Sequence, residues 1–270
     1  GIKVNAKGNE KVGTFMGVMY VGAALVVLLV NFDRIGWAFG QIFAGALTGL
    51  GVAGGFVGAL IQGFKRAAFS NEAGVGSAAI AHSAVKTKEP ITEGFVSLLE
   101  PLIDTVVICT MTALVIIISQ QLIIDQATGN YMLNEAGTAI ATVDGNSGVA
   151  LTSAAFGSAI SWFPFVLAIA VILFAFSTMI SWSYYGLKAW TYLFGEGKVT
   201  ELIFKVIFCA FIVVGAAANL GPVIDFSDAA IFAMAVVNIF CLYFLMKVVR
   251  KELNSYASRL KSGEIRKFTH

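Results

Sequence analysis

Hydroxyl side chains inside an apolar stretch are the clearest carriers of chemistry in this sequence. Ser177 and Thr178 are adjacent within the apolar segment 161–186, and Trp182 follows one helical turn later. Hydroxyl and carbonyl oxygens are the hard ligands that alkali cations prefer, and an indole can form the wall of an apolar pocket. The pattern is compatible with an ion site, but membrane hydroxyls also commonly bond to their own helix or to a neighbouring helix.

Two carboxylates stand at the beginning of another apolar segment, 95–119. Glu100 and Asp104 are one helical turn apart. A carboxylate within a membrane is costly and is therefore a functional candidate by default. Asp104 is the stronger candidate, because Glu100 is close enough to the interface to be hydrated. Asp225 and Asp228 precede the last apolar segment, and we interpret them as helix caps, since helix N-termini favour acidic residues.

A third feature is a glycine-rich apolar segment, 42–63, that leads into a polar stretch. Glycines weaken a helix, and an unwound turn in a membrane exposes backbone groups that a carboxylate or a sodium ion can satisfy. Thr48, Gly49 and Gly51 are the candidates for such contacts. The alternative is that the glycines only permit close helix packing.

Composition places the chain in a membrane. Hydrophobic residues make up 58% of its 270 residues and charged residues 13%, about half the charged share of a soluble domain. The net charge of +2 gives no reason to expect nucleic-acid binding. His82 and His270 are the only histidines, and neither a nucleophile elbow nor a metal-ligand spacing accompanies them, so we do not expect an enzyme.

The predicted architecture is an all-α integral membrane protein. Six segments are long enough to cross a bilayer core of about 30 Å: 13–31, 42–63, 95–119, 161–186, 202–220 and 228–247. Lys and Arg concentrate in loop 64–94 and at the chain ends but are absent from loop 120–160. The positive-inside rule therefore predicts that loop 64–94 and both termini are cytoplasmic and that loop 120–160 is external.

The two long loops have further predicted structure. Loop 64–94 alternates small apolar and polar residues, which favours short amphipathic helices at the cytoplasmic surface. The external loop contains alternating residues before Asp144-Gly145, a turn signal that favours a short hairpin or a lid.

Residues 69–82 read Phe-Ser-Asn-Glu-Ala-Gly-Val-Gly-Ser-Ala-Ala-Ile-Ala-His, and this segment resembles the signature loop of the alanine or glycine:cation symporter family. Segments 103–116, 174–178 and 182–186 also resemble that family. The resemblance implies a sodium-coupled transporter with the leucine-transporter type of fold, two inverted five-helix repeats and one extra helix. Residues 1–270 would be the last six helices of one transporter domain, and we expect this chain to be part of a longer polypeptide that contains the missing N-terminal half.

The resemblance also implies roles for particular residues. Thr48, Gly49, Gly51 and Trp182 would contact substrate. Ser177 and Thr178 would bind sodium, and Asp104 would lie near a second sodium site. Ser70, Asn71 and Glu72 would belong to a gating loop. Two departures from the family pattern, Leu47 in place of Phe and Ala79 in place of Pro, imply a pocket of different shape.

The expected function is import of a small neutral amino acid, alanine or glycine, coupled to sodium across the cell membrane by alternating access. No cofactor is expected beyond the coupling ion. The alternative is a receptor or scaffold that binds an amino acid without coupled transport. The Ser177-Thr178 pair disfavours this alternative, because a sensor needs no sodium site.

Overall fold

The computed structural model of the chain describes residues 2–47, 55–125, 131–132, 135 and 140–265, with side chains from residue 13 onward. These residues are mostly helical, as a bilayer requires, since each backbone group in lipid must be bonded within its own segment. Five described helices are long and apolar enough to cross a membrane: Gly13–Val30, Pro90–Ile118, Phe163–Phe194, Lys198–Ala217 and Leu220–Ser262. The other predicted span, 42–63, includes residues 48–54, which lie outside the described part of the chain.

The helix bounds are as follows: α1 Ile2–Val30, α2 Ile35–Leu47, α3 Phe56–Ser70, α4 Ser77–His82, α5 Pro90–Ser97, α6 Leu99–Pro101, α7 Thr110–Ile118, α8 Gly148–Gly157, α9 Phe163–Phe194, α10 Lys198–Ala217 and α11 Leu220–Ser262. A π-helix, Leu102–Cys109, connects α6 to α7, and 3₁₀ turns occupy Phe32–Arg34 and Val143–Gly145. The chain divides into two compact units, one of Gly1–Phe64 and Val106–Ser181, the other of Lys65–Thr105 and Trp182–His270.

The first unit has a dry core around α7, which α1, α2 and α8 contact. Val27, Val115 and Phe156 have almost no exposed surface there. The ring centroids of Tyr20 and Phe156 are 5.2 Å apart, and the Tyr20 hydroxyl shares a hydrogen bond of 2.5 Å with the Thr112 hydroxyl. Aromatic and β-branched side chains thus pack around the Tyr20–Thr112 pair, whose hydroxyl groups are hydrogen-bonded to each other.

The described part of loop 120–160 contains short antiparallel pairing. Isolated bridges join Leu122 to Thr142 and Ile124 to Tyr131. Residues 140–142 therefore pair with an earlier segment and not across the predicted turn. Asp144 and Gly145 do turn the chain, with φ of 59° and 66°, and lead into α8, a helix that the sequence reasoning did not predict.

The second unit is organised along α11, a helix of 43 residues. Val75 and Ile231 are its buried apolar side chains among the described residues. Many apolar side chains of α10 and α11 are exposed, such as Phe211 at 68% and Phe244 at 70%. Such surfaces suit helices that are surrounded by lipid or by further helices.

The assignment of Asp225 and Asp228 as helix caps is wrong. Helix α11 begins at Leu220, so both residues lie within its second and third turns. Pro222, within the first turn, was the sequence signal for this earlier start. The nearly buried Asp228 carboxylate instead accepts hydrogen bonds of 2.6 and 2.5 Å from the Arg66 guanidinium.

Candidate functional site

Between α3 and α4 the helix is interrupted over residues 71–76. The chain passes through left-handed conformations at Glu72 (φ 56°), Gly74 (φ 82°) and Gly76 (φ 108°). Glycine adopts such angles freely, but a residue with a side chain, such as Glu72, does so at a cost. A strained residue within a helix break is typical of a binding or gating element.

Side chains from distant parts of the sequence hold this interruption in place. The Glu72 carboxylate accepts a hydrogen bond of 2.8 Å from the Trp182 indole and a second one from the Ser77 hydroxyl. The Gly74 carbonyl accepts a bond of 2.9 Å from the Asn238 amide in α11. These bonds provide the partners that the interrupted helix lacks.

Gly76 packs closely against the same asparagine. A Cβ atom added at Gly76 would lie 3.2 Å from Cγ and 3.3 Å from Oδ1 of Asn238. Because φ at Gly76 is also positive, another residue there would be strained and would need the Asn238 side chain to shift by a few tenths of an ångström.

The end of α3 and the first residue of the interruption contact the π-helix. Ser70 donates a hydrogen bond of 2.7 Å to the Asp104 carboxylate, and the Asn71 amide donates one of 2.7 Å to the Thr105 hydroxyl. Asn71 also accepts a bond from the Ala73 backbone N–H, which fixes the turn. Single π-helical turns occur frequently at functional sites, and here the π-helix presents Asp104 to the interrupted segment.

An acidic cavity of about 280 Å³ opens beside these residues. Its lining residues are Ser70, Asn71, Glu72, Ala78, Ala81, His82, Glu100, Asp104 and Tyr185. Three carboxylates and no Lys or Arg contribute to this lining, so the cavity attracts cations and ammonium groups. Its volume suits a small ligand.

His82 forms a bridge between two carboxylates at this cavity. Its Nδ1 lies 2.7 Å from Glu93 Oε1, and its Nε2 lies 3.3 Å from Glu100 Oε1. Both contacts bring negative charge to the ring. This cluster was not predicted from the sequence, where His82 was examined only for an enzymatic or metal site, although Glu93 and Glu100 follow it in the same region of the chain.

The structure brings some of the predicted site residues together. Ser70, Asn71 and Glu72 line one cavity with Asp104, and Trp182 is bonded to Glu72. Ser177 and Thr178 belong to the part of α9 in the first unit. Thr48, Gly49 and Gly51 lie outside the described residues. The predicted roles in substrate and sodium binding stay predictions. Within the described ranges, no three His, Cys, Asp or Glu side chains are grouped to hold a metal ion.

Comparison with known sequences decides the family. The model of the sodium:alanine symporter family matches residues 1–270. The chain belongs to the sodium:alanine symporter family. The predicted resemblance is thereby confirmed, and the apolar helices fit a multi-pass membrane protein.

Three relatives illustrate this symporter family. The chain is 35% identical over 268 residues to the sodium/alanine symporter AgcS of Methanococcus maripaludis, an alignment that covers 99% of this chain and 54% of AgcS. It is 33% identical to the probable sodium/glutamine symporter GlnT of Bacillus subtilis, covering 98% of this chain and 52% of GlnT. It is 30% identical to the sodium/proton-dependent alanine carrier protein of Bacillus sp. (strain PS3), covering 98% and 59%. The chain thus spans about half the length of these relatives.

Proposed function

We propose that the protein imports a small neutral amino acid, alanine or a close analogue, by sodium-coupled alternating access, and that this chain contributes an interrupted helix to the substrate path. Membership in the sodium:alanine symporter family and the names of the relatives support sodium-coupled transport. The interruption at residues 71–76, beside an acidic cavity, is the observation that carries the role of this chain. Transporters bind cargo at such broken helices.

Contacts with α11 support the proposal that residues 66–89 extend across the membrane. Arg66 is bonded to Asp228, and Glu89 is bonded to Arg259 through two hydrogen bonds of 2.8 and 2.5 Å. Asp228 and Arg259 are roughly 46 Å apart along a straight α-helix at 1.5 Å per residue. A segment that contacts both points is longer than a bilayer core of about 30 Å.

We therefore infer that α3, the interruption and α4 cross the membrane as one broken helix. In this proposal residues 64–94 do not lie wholly at the cytoplasmic surface, because Arg66 is bonded to Asp228, the first residue of the predicted span 228–247. In this arrangement the interruption lies near the middle of α11, where Asn238 contacts it. The substrate ammonium group would be attracted by the carboxylates of the cavity, Asp104 and Glu100. We also propose that the whole transporter has the inverted-repeat fold of the leucine-transporter type.

Uptake of radiolabelled alanine into proteoliposomes that contain the full-length protein tests the proposal. An inward sodium gradient is compared with an inward potassium gradient for the wild type and for Ser177→Ala combined with Thr178→Ala. We expect accumulation that depends on sodium and is lost in the double variant. Ser227→Ala is the matched control, because its hydroxyl bonds only to its own helix at Val223. Uptake indifferent to sodium would contradict sodium coupling, and absence of uptake would favour a receptor.

The role of the interruption is tested separately with Asn71→Ala and Asp104→Asn. Each removes a polar group that lines the acidic cavity. We expect at least a tenfold loss of alanine affinity (about 1.4 kcal/mol), measured by substrate-induced change in tryptophan fluorescence. Unchanged affinity in both variants would show that substrate binds elsewhere.

A further inference from the structure

The side chain of His82 lies between two cavities. One is the acidic cavity described above, and it includes Glu100. The second has a volume of about 510 Å³. Its lining residues are Ala78, Ala79, His82, Ser83, Val85, Thr87, Pro90, Glu93, Gly94 and Ser97. Each ring nitrogen of His82 therefore contacts a carboxylate that lines a different cavity: Nδ1 contacts Glu93, and Nε2 contacts Glu100.

The number of protons in this cluster follows from hydrogen-bond chemistry. A neutral imidazole has one N–H donor and one acceptor nitrogen, whereas an ionised carboxylate only accepts. The Nδ1 contact with Glu93 has hydrogen-bond geometry, whereas the Nε2 contact with Glu100 is an ion contact at 3.3 Å. A neutral ring that donates from Nδ1 would therefore hold the lone pair of Nε2 against the Glu100 carboxylate, a repulsive contact that a second ring proton removes. The arrangement thus favours the imidazolium form of the ring.

The neighbouring charges favour the retention of this extra proton. Glu93 from α5 and Glu100 from α6 both face the ring, and Glu72, Asp104 and Tyr185 line the acidic cavity with it. No Lys or Arg is among the residues that line either cavity. The surrounding charge is negative and therefore stabilises a positive imidazolium.

We propose that His82, together with Glu93 and Glu100, is a proton-transfer site that connects the two cavities. The imidazolium first releases its Nε2 proton to Glu100 and the acidic cavity. The remaining proton then moves from Nδ1 to Nε2 by tautomer exchange, and Nδ1 takes a new proton from water in the second cavity through Glu93. One proton enters as one leaves, and the ring returns to the imidazolium form. The site itself stands on this geometry, and only its coupling to alanine movement rests on the proposed function.

The proton site can be tested without transport. In the full-length protein labelled with ¹⁵N-histidine, the resonances of His82 are identified by their loss in His82→Gln. We expect both Glu93→Gln and Glu100→Gln to lower the pH at which His82 titrates, because each removes a carboxylate that contacts the ring. Glu196→Gln, which changes an exposed carboxylate in another loop, is the matched control and should leave the titration unchanged. A titration of His82 that is the same in Glu93→Gln, Glu100→Gln and wild type would overturn the proposal.

The coupling is tested in proteoliposomes that contain a pH-sensitive dye. We expect inward movement of alanine to be accompanied by proton movement, and expect His82→Gln to reduce this proton movement at least tenfold while alanine exchange between the two sides is retained. Equal proton movement in His82→Gln and wild type would refute the transfer role. Alanine transport without proton movement in the wild type would refute coupling but leave the proposed function intact. If the wild type does not transport alanine, the proposed function fails and the NMR titration alone decides the proton site.

Discussion

The two units of this protein are stabilised by different physics. The first unit closes around packed apolar side chains such as Val27, Val115 and Phe156, with the Tyr20–Thr112 pair as a polar contact among them. The second unit buries few apolar side chains within the described residues and is held by ion pairs and side-chain hydrogen bonds, including Arg66–Asp228 and Trp182–Glu72. The contacts of the first unit are typical of a rigid scaffold, and those of the second unit are typical of an element that binds a ligand.

The difference is instructive because the two kinds of contact respond differently to ions and substrate. A dry, close-packed core is insensitive to ions and pH and resists deformation. Hydrogen bonds between charged side chains can be exchanged for bonds to water, to a cation or to a ligand, and a proton can break them. We therefore expect the movements that the proposed transport requires to be concentrated in the second unit, where the chain is interrupted at residues 71–76.

The largest effect should come from the core of the first unit. Phe156 is fully buried, and its ring contacts Tyr20 and Phe163. Phe156→Ala leaves a cavity and should reduce the free energy of unfolding by about 3–5 kcal/mol. Thermal unfolding in detergent measures this, with Phe165→Ala as control because Phe165 is 77% exposed. Equal losses in the two variants would show that the first unit lacks the close-packed core described above.

A smaller effect should follow from breaking the ion pair of the second unit. Arg66→Met leaves the Asp228 carboxylate unpaired at 12% side-chain exposure. Loss of one partner of a buried pair costs about 3–5 kcal/mol, but Arg66 is 47% exposed, so water discounts this to about 2–3 kcal/mol. Adding Asp228→Asn should restore most of the loss in a double-mutant cycle, whereas Arg250→Met should be close to neutral. Simple additivity of the two changes would contradict the pairing.

Next in size is the cost of a side chain in the interrupted helix. Gly76→Ala forces alanine into φ 108° and against Asn238, and should reduce the free energy of unfolding by about 1–2 kcal/mol. Gly63→Ala is its counterpart inside α3, where nothing lies within 4 Å of the added methyl group, and alanine should stabilise the helix by about 0.5–1 kcal/mol. Opposite signs for these two substitutions would confirm that α3 ends before Gly76. The same sign would contradict it.

The sequence predicted the apolar helices and the family well, because both depend on local patterns. Hydrophobic length identified the segments around α1, α9, α10 and α11 without knowledge of their partners. The residues of the signature segment, 69–82, identified the family and drew attention to Ser70, Asn71 and Glu72, which line the acidic cavity.

The position of the helix interruption was less accessible. The glycines of segment 42–63 were interpreted as a broken helix. Residues 48–54 lie outside the described part of the chain, so that interpretation stays a prediction. The interruption that the structure does describe depends on left-handed conformations at Glu72, Gly74 and Gly76 and on a bond from Asn238, far away in sequence. The Arg66–Asp228 pair likewise joins residues that are 162 positions apart and could not be known from the sequence.

The smallest expected effect comes from His82 and belongs to the second unit. The ring lies 2.7 Å from Glu93 and 3.3 Å from Glu100. His82→Gln keeps a polar side chain but loses at least one of these contacts, and should reduce the free energy of unfolding by about 0.5–1 kcal/mol. Thermal unfolding in detergent measures this, with Glu196→Gln as a nearly neutral control. A loss as large as that of Phe156→Ala would show that the His82 cluster stabilises the protein as much as the packed core does, and the contrast between the two units would then fail.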